Sequence, residues 1–174
     1  MRAAVSVPRH ALMLVRCGTL GLALDVTDIH TTLPPVTLAP SSMDGRVCRG
    51  VIEHAGVRLP AIDPLALMGL GALPDDAPCQ ALLLRFPGGL VAMLVSQVID
   101  IVRVPQTDLL ALSPLAVRRP ELFRAALRVP VHGDHLVLKP GVLQTEPDLL
   151  ALSTLNASTA DATCTTGTTG AGNT

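Results

Sequence analysis

The sequence predicts a mainly β protein made of two small β-subdomains with short helices. Three observations carry this. Short apolar runs recur between Gly- and Pro-containing breaks, as strands between turns do. The pattern restarts about halfway along the chain. No apolar run is both long and uninterrupted enough to read as a major helix.

The elements follow in order. Residues 1–10 read as a flexible leader, and the folded region as 11–152. Ala11–Arg16 and Leu20–Asp25 flank Cys17-Gly18-Thr19 and form a β-hairpin. Val26–Leu33 continues as a strand, and Pro34-Pro35 and Ala39-Pro40 mark an irregular connection. Val47–Glu53 and Val57–Asp63 are two more strands, turning at His54-Ala55-Gly56. Pro64–Leu70 starts a short helix, because proline is tolerated in a first turn. Leu73–Ala77, with Pro74, Asp75 and Asp76, is a polar break.

After the break, Ala81–Leu84 repeats Ala11–Leu14 at a distance of 70 residues, and Gly88, Leu90 and Leu94 repeat Gly18, Leu20 and Leu24. Slightly out of that register, Asp100-Ile101 repeats Asp28-Ile29. Two subdomains that each open with a hairpin explain the repeat. Five-stranded barrels would remove most exposed sheet edges. Val91–Val98 and Asp100–Val104 are β-branched strands, Leu109–Leu112 and Pro114–Arg119 are loop or short helix, and Leu122–Val131 and His135–Leu138 flank a turn at His132-Gly133-Asp134. Pro147–Leu155 forms a terminal helix. From residue 153 to 174 the chain is Ser-, Thr-, Ala- and Gly-rich and reads as a disordered tail.

Composition excludes several functions. Of 174 residues, 49% are hydrophobic and 16% charged, so most of the chain can bury a core. Trp and Tyr are absent, and Phe86 and Phe123 are the only aromatics, so stacking platforms for single-stranded nucleic acid are missing. A net charge of −1 offers no basic excess for a phosphate backbone. A membrane-spanning helix needs ~20 apolar residues, and both candidates are interrupted: Ala11–Leu24 by Arg16, Leu59–Leu73 by Pro60, Asp63 and Pro64. The same Arg16 argues against a signal peptide. Cys17, Cys48, Cys79 and Cys164 form no CxxC pair; three sit in apolar surroundings and read as small hydrophobes. A chain this size does not need a disulfide framework, and the cytosol is the simpler reading.

The search for chemistry comes back empty. His132-Gly133-Asp134-His135 has zinc-ligand residue types, but the spacing fits a hairpin turn better. Glu53 and His54 adjoin on a strand and point to opposite faces. There is no GxSxG, GxxxxGK[ST] or HExxH. Arg118-Arg119 with Arg124 and Arg128 forms a basic stretch, read as a solvated face or as a partner-docking patch. No catalytic residue, cofactor or metal is expected.

Several stretches resemble the CheW-like domain of bacterial chemosensory systems. Val26-Thr27-Asp28-Ile29 is similar to the family's bend into its third strand. Arg49-Gly50-Val51-Ile52, a turn ending in Gly56, and Pro60-Ala61-Ile62-Asp63 resemble its Gly-Val-Ile strand, turn and Pro-x-Ile-Asp strand. Ser96–Val102 resembles its Gly-Val-x-Asp-Val segment. The resemblance covers roughly residues 11 to 150. It implies two five-stranded β-barrels around a shared apolar core, and a non-enzymatic adaptor joining a CheA-type histidine kinase, through its regulatory domain, to the cytoplasmic tip of methyl-accepting receptors. It also implies partner-binding roles for Val26, Ile29, Val51, Ile52 and Val98; Arg49, Glu53, Arg58 and Asp100 complete the expected set from the matched stretches. Two departures stand out. Glu53-His54-Ala55-Gly56 replaces a common Asn-Leu-Arg-Gly and lacks its Arg, and Lys139-Pro140 interrupts a family strand; both fit a divergent paralogue. A stand-alone β-barrel holding a small apolar ligand is the alternative. It predicts a deep closed pocket, whereas an adaptor predicts a shallow groove.

Overall fold

The computed structural model describes residues 9–40 and 46–153. The expected leader, apart from Arg9 and His10, lies outside the described residues; so does the expected tail beyond Ser153. The strands are β1 (Arg9–Cys17), β2 (Leu20–Asp25), β3 (Ile29–Leu33), β4 (Cys48–His54), β5 (Val57–Ile62), β6 (Gln80–Phe86), β7 (Gly89–Val95), β8 (Gln97–Pro105), β9 (Leu109–Leu110), β10 (Phe123–Val129) and β11 (Gly133–Leu138). A single-turn helix, α1 (Pro64–Leu67), follows β5, and a terminal helix begins at residue 147.

Two sheets result. One has six strands in the order β8-β1-β2-β11-β10-β9, the other five in the order β3-β6-β7-β5-β4. The expected pair of five-stranded barrels is therefore modified: one sheet has an extra short strand, and no hydrogen-bonded pair among the described residues closes either sheet on itself. The expected strand Val26–Leu33 also changes. Asp25 accepts the Thr27 N–H at 3.0 Å and caps a 3-10 turn over Val26–Asp28, so β3 starts only at Ile29. β11 stops at Leu138, which leaves Lys139-Pro140 outside the ladder, where proline's missing N–H does no harm.

The halves repeat, and they exchange strands. The hairpins β1–β2 and β6–β7 correspond, each with a two-residue loop. Their loops, Gly18-Thr19 and Pro87-Gly88, stand 69 residues apart rather than the expected 70. β3 leaves the first hairpin to pair with β6, and β8 leaves the second to pair with β1. Both crossing strands carry an irregularity, at Ile29/Thr31 against β6 and opposite Leu14/Val15 on β1. Each sheet then adds its remaining hairpin through one parallel contact, β11 on β2 and β5 on β7.

This arrangement explains the unbroken apolar runs. In β1, Met13, Val15 and Cys17 face the main core between the sheets, whereas Leu12 and Leu14 face a small second core with Ala23, Val104, Ala125, Leu127 and Val137. A strand buried on both faces shows no polar alternation. The main core joins residues of both halves, including Leu22, Leu24, Ile62, Leu82, Leu84, Met93 and Leu122.

Gly21 marks the tightest approach inside this frame. A Cβ there would lie 2.5 Å from the Asp134 carbonyl oxygen and 2.9 Å from the His135 ring. Both atoms belong to β11, so Gly21→Ala must push β2 and β11 apart. A loss of about 1–3 kcal/mol, as for other overpacked cores, is expected from urea denaturation. Unchanged stability would show that the parallel contact yields freely.

Candidate partner-binding surface

One groove of about 430 Å³ opens beside the six-stranded sheet, between the segment after α1 and the β9–β10 connection. Met68 and Leu70, following α1, form one wall, and Leu115 to Arg119, between β9 and β10, form the other. Leu20, Phe123 and Leu136 lie between them. The lining is mostly apolar and the groove is open to solvent.

Local sequence builds each wall. Asp63, fully buried, accepts the Leu65 N–H at 2.9 Å and caps α1, where Pro64 takes the first turn. Gly69, at a left-handed φ of 69°, ends the helix and leaves Leu70 47% exposed. On the opposite wall Ser113 caps a 3-10 turn over Pro114–Ala116. That turn puts Leu115 outward at 97% exposure, which is anomalous for a leucine beside an apolar cleft.

Arginines tie the walls together. Arg118 donates to the Gly69 carbonyl at 2.8 Å. Arg119 donates to the Leu67 carbonyl at 3.3 Å, to both Glu146 oxygens at 3.1 Å, and to Glu121 at 2.7 Å. The Arg119 guanidinium holds the Glu121 carboxyl below its ordinary value. The expected basic stretch thus divides: Arg118 and Arg119 reach the groove, Arg128 pairs with Asp134 at 2.7 Å across a hairpin, and Arg124 buries its Nε and Nη2 without a hydrogen-bond partner.

The residues expected from sequence occupy other places. Ile29 and Ile52 are buried in the main core, and Val26 and Val98 are half-buried against it. Arg85 donates to the Ile29 carbonyl at 2.7 Å and fixes the start of β3. Val51 is half-buried and pairs its backbone with Ala39, which covers part of the β4 edge. Arg49 binds Asp63 at 3.2 Å and the Leu73 carbonyl at 2.6 Å, and also reaches Asp75. Glu53 and Arg58 are exposed and face each other across the β4–β5 hairpin, where Ala55 takes a left-handed φ of 51°. Asp100 is exposed, and its carboxylate accepts the N–H of Ile101 at 2.7 Å. That bond blunts part of the β8 edge.

None of this set lines the groove. Ser96 accepts the Gly18 N–H at 2.8 Å, so the start of β8 lies beside the turn that carries Leu20. The β4–β5 turn lies at the far end of β5 from α1, roughly 16 Å off at ~3.3 Å per residue. The groove-wall leucines escaped the sequence reading. Their available signal was a leucine directly after Ser-Pro, in a segment too short for core packing.

The histidine cluster does not converge. Asp134 points to Arg128, whereas His135 turns inward at 1% exposure and its Nδ1 lies 3.1 Å from the Gly133 carbonyl. Burial, more than nearby Arg16 and His132, pushes the His135 pKa below its ordinary value of 6.5. The folded state therefore favours the neutral ring. Above 6.5 this costs nothing; as pH falls below 6.5 the unfolded chain binds a proton that the folded one resists, and stability drops until the folded pKa is passed. Denaturation at pH 7.5 and 5.5 checks this: the decrease should be smaller in His135→Gln. Burial also pushes the Cys17 thiol up to about 12, with smaller contributions from Asp63 and Cys79, so it packs as a hydrophobe. Cys48 and Cys79 are unpaired too.

These features define a two-sheet β protein with an open apolar groove and no cluster of metal-ligating side chains among the described residues. A model of the CheW-like domain matches residues 11–143, and the chain belongs to that family. The crystal structure of the scaffolding protein TtCheW from Thermoanaerobacter tengcongensis has a similar fold, with a TM-score of 0.65 at 13% identity over 80% of this chain and 95% of that one. No curated protein matches the chain. Among the described residues, no helix is long and apolar enough to cross a membrane.

Proposed function

We propose that the protein is a non-enzymatic adaptor of a bacterial chemosensory system, coupling a CheA-type histidine kinase to methyl-accepting receptors in the cytoplasm. Family membership supports a chemotaxis adaptor. The open apolar groove supports the docking role, and it is the observation that carries the reading. A receptor tip is a helical hairpin, and an apolar helix face seats in such a groove through spaced anchors. Leu70 and Leu115 are the exposed anchors on this side, and half-buried Val98 is assigned to its margin. The kinase regulatory domain takes a separate face at the β4–β5 hairpin, with Glu53, Val57 and Arg58; Val57 is 43% exposed there. Two faces roughly 16 Å apart along β5 let both partners bind together. Val26, Ile29, Val51, Ile52, Arg49 and Asp100 support these faces from beneath or at their margins.

A small-ligand barrel would need an enclosed cavity, and the groove is open. The test is a titration with the kinase regulatory domain and a receptor-tip fragment, separately and together. Micromolar binding of each, about 8 kcal/mol, and a ternary complex are expected. Mutually exclusive binding, or no binding by well-folded protein, would overturn the adaptor reading.

A further inference from the structure

We propose that Arg119 is a positioning residue for the groove: it latches the 111–119 strap to the end of α1 and to the start of the terminal helix, and so holds the groove open at docking width. The inference rests on the reading of the groove as a docking surface. The strap needs such a latch. Between β9 and β10 it joins no sheet, and only Leu112 and Val117 of residues 111–117 are even half-buried. Its local bonds, Ser113 to Leu115 and Ala116, shape the turn without attaching it to anything.

Leu112 and Val117 pack against the main core, and polar attachment comes from Arg118 and Arg119. Arg118 makes one bond, to Gly69, at an exposed site. Arg119 uses all three guanidinium nitrogens: it joins two segments distant in sequence, Leu67 at the end of α1 and Glu146 before the terminal helix, and also holds its near neighbour Glu121. Its Glu146 partner has a side chain only 11% exposed, so this pair is screened less than a surface pair. The fork geometry matters, because a lysine ammonium cannot grip both Glu146 oxygens in plane while reaching Leu67. A strap held in place before the partner arrives spares the partner the cost of ordering it.

The test uses the full chain with Arg119→Ala, Arg119→Lys and Leu115→Asp. Hydrogen exchange of the free protein is read first. Both Arg119 variants should speed exchange of the strap's hydrogen-bonded amides, those of Leu115 and Ala116, at least tenfold, with β1, β2, β6 and β7 unchanged; Leu115→Asp should leave the Ala116 amide unaltered. Titration with the receptor-tip fragment should then show about tenfold weaker binding for both Arg119 variants. Unchanged strap exchange overturns the latch, as does full rescue by lysine. Faster exchange with undiminished binding, while Leu115→Asp still abolishes binding, overturns the positioning role. If Leu115→Asp also binds normally, the groove reading itself fails, and exchange alone still judges the latch. Global acceleration of exchange in Arg119→Ala would mark a purely structural role and overturn the proposal.

Discussion

Replacing Asp63 with alanine is expected to destabilise the protein by about 3–5 kcal/mol, the usual cost of stripping one partner from a buried ion pair. Asp63 is 0% exposed and works in four directions. It caps α1 through the N–H groups of Leu65 and Ala66, accepts the Leu73 N–H at 2.7 Å, and meets Arg49 at 3.2 Å. Removing it leaves three backbone donors and a half-buried guanidinium without their acceptor. The cap alone is worth about 1 kcal/mol, so the greater part of the loss comes from Arg49 and Leu73. Asp63→Asn should retain part of the cap and fall between. Chemical denaturation of the three proteins orders them; an alanine variant within 1 kcal/mol of the parent would mean that water replaces the carboxylate.

The largest functional effect is expected from Leu115→Asp. At 97% exposure, Leu115 contributes almost nothing to folding, and its substitution should leave the melting temperature unchanged. On the docking role proposed above, it becomes a buried anchor in the receptor complex. Burying a leucine is worth about 2 kcal/mol, and seating a carboxylate in the same apolar site adds a desolvation cost. Receptor-tip affinity should fall at least 30-fold, about 2 kcal/mol, whereas affinity for the kinase regulatory domain stays the same. Loss of both affinities in a folded protein would mean one shared face, and no loss would move docking elsewhere.

The strands were legible because Gly and Pro bound nearly every apolar run: Gly18, Gly56, Pro87-Gly88 and Gly133 all sit at or beside the hairpin turns. Pairing was less legible. Leu12–Val15 and Ala81–Leu84 are buried on both faces, so the two-residue period that assigns faces is missing. The same uniform leucine runs allowed the repeat to slip by one residue. Nothing local announces that β3 and β8 change sheets, since each pairs with a strand far away in sequence. The groove was hidden for a related reason. Arg119 and Glu146 are 27 positions apart, and only folding shows that they meet. The expected residues Ile29 and Ile52 were legible as apolar strand positions, but sequence pattern does not distinguish a core isoleucine from a docking one.

The exchanged strands give the molecule a mechanical character. β2 and β3 follow one another in the chain but lie in different sheets, and so do β7 and β8. Two stretches of covalent backbone therefore bridge the sheets. Pulling the sheets apart must strip β3 from β6 or β8 from β1, hydrogen bond by hydrogen bond, and not merely open an apolar interface.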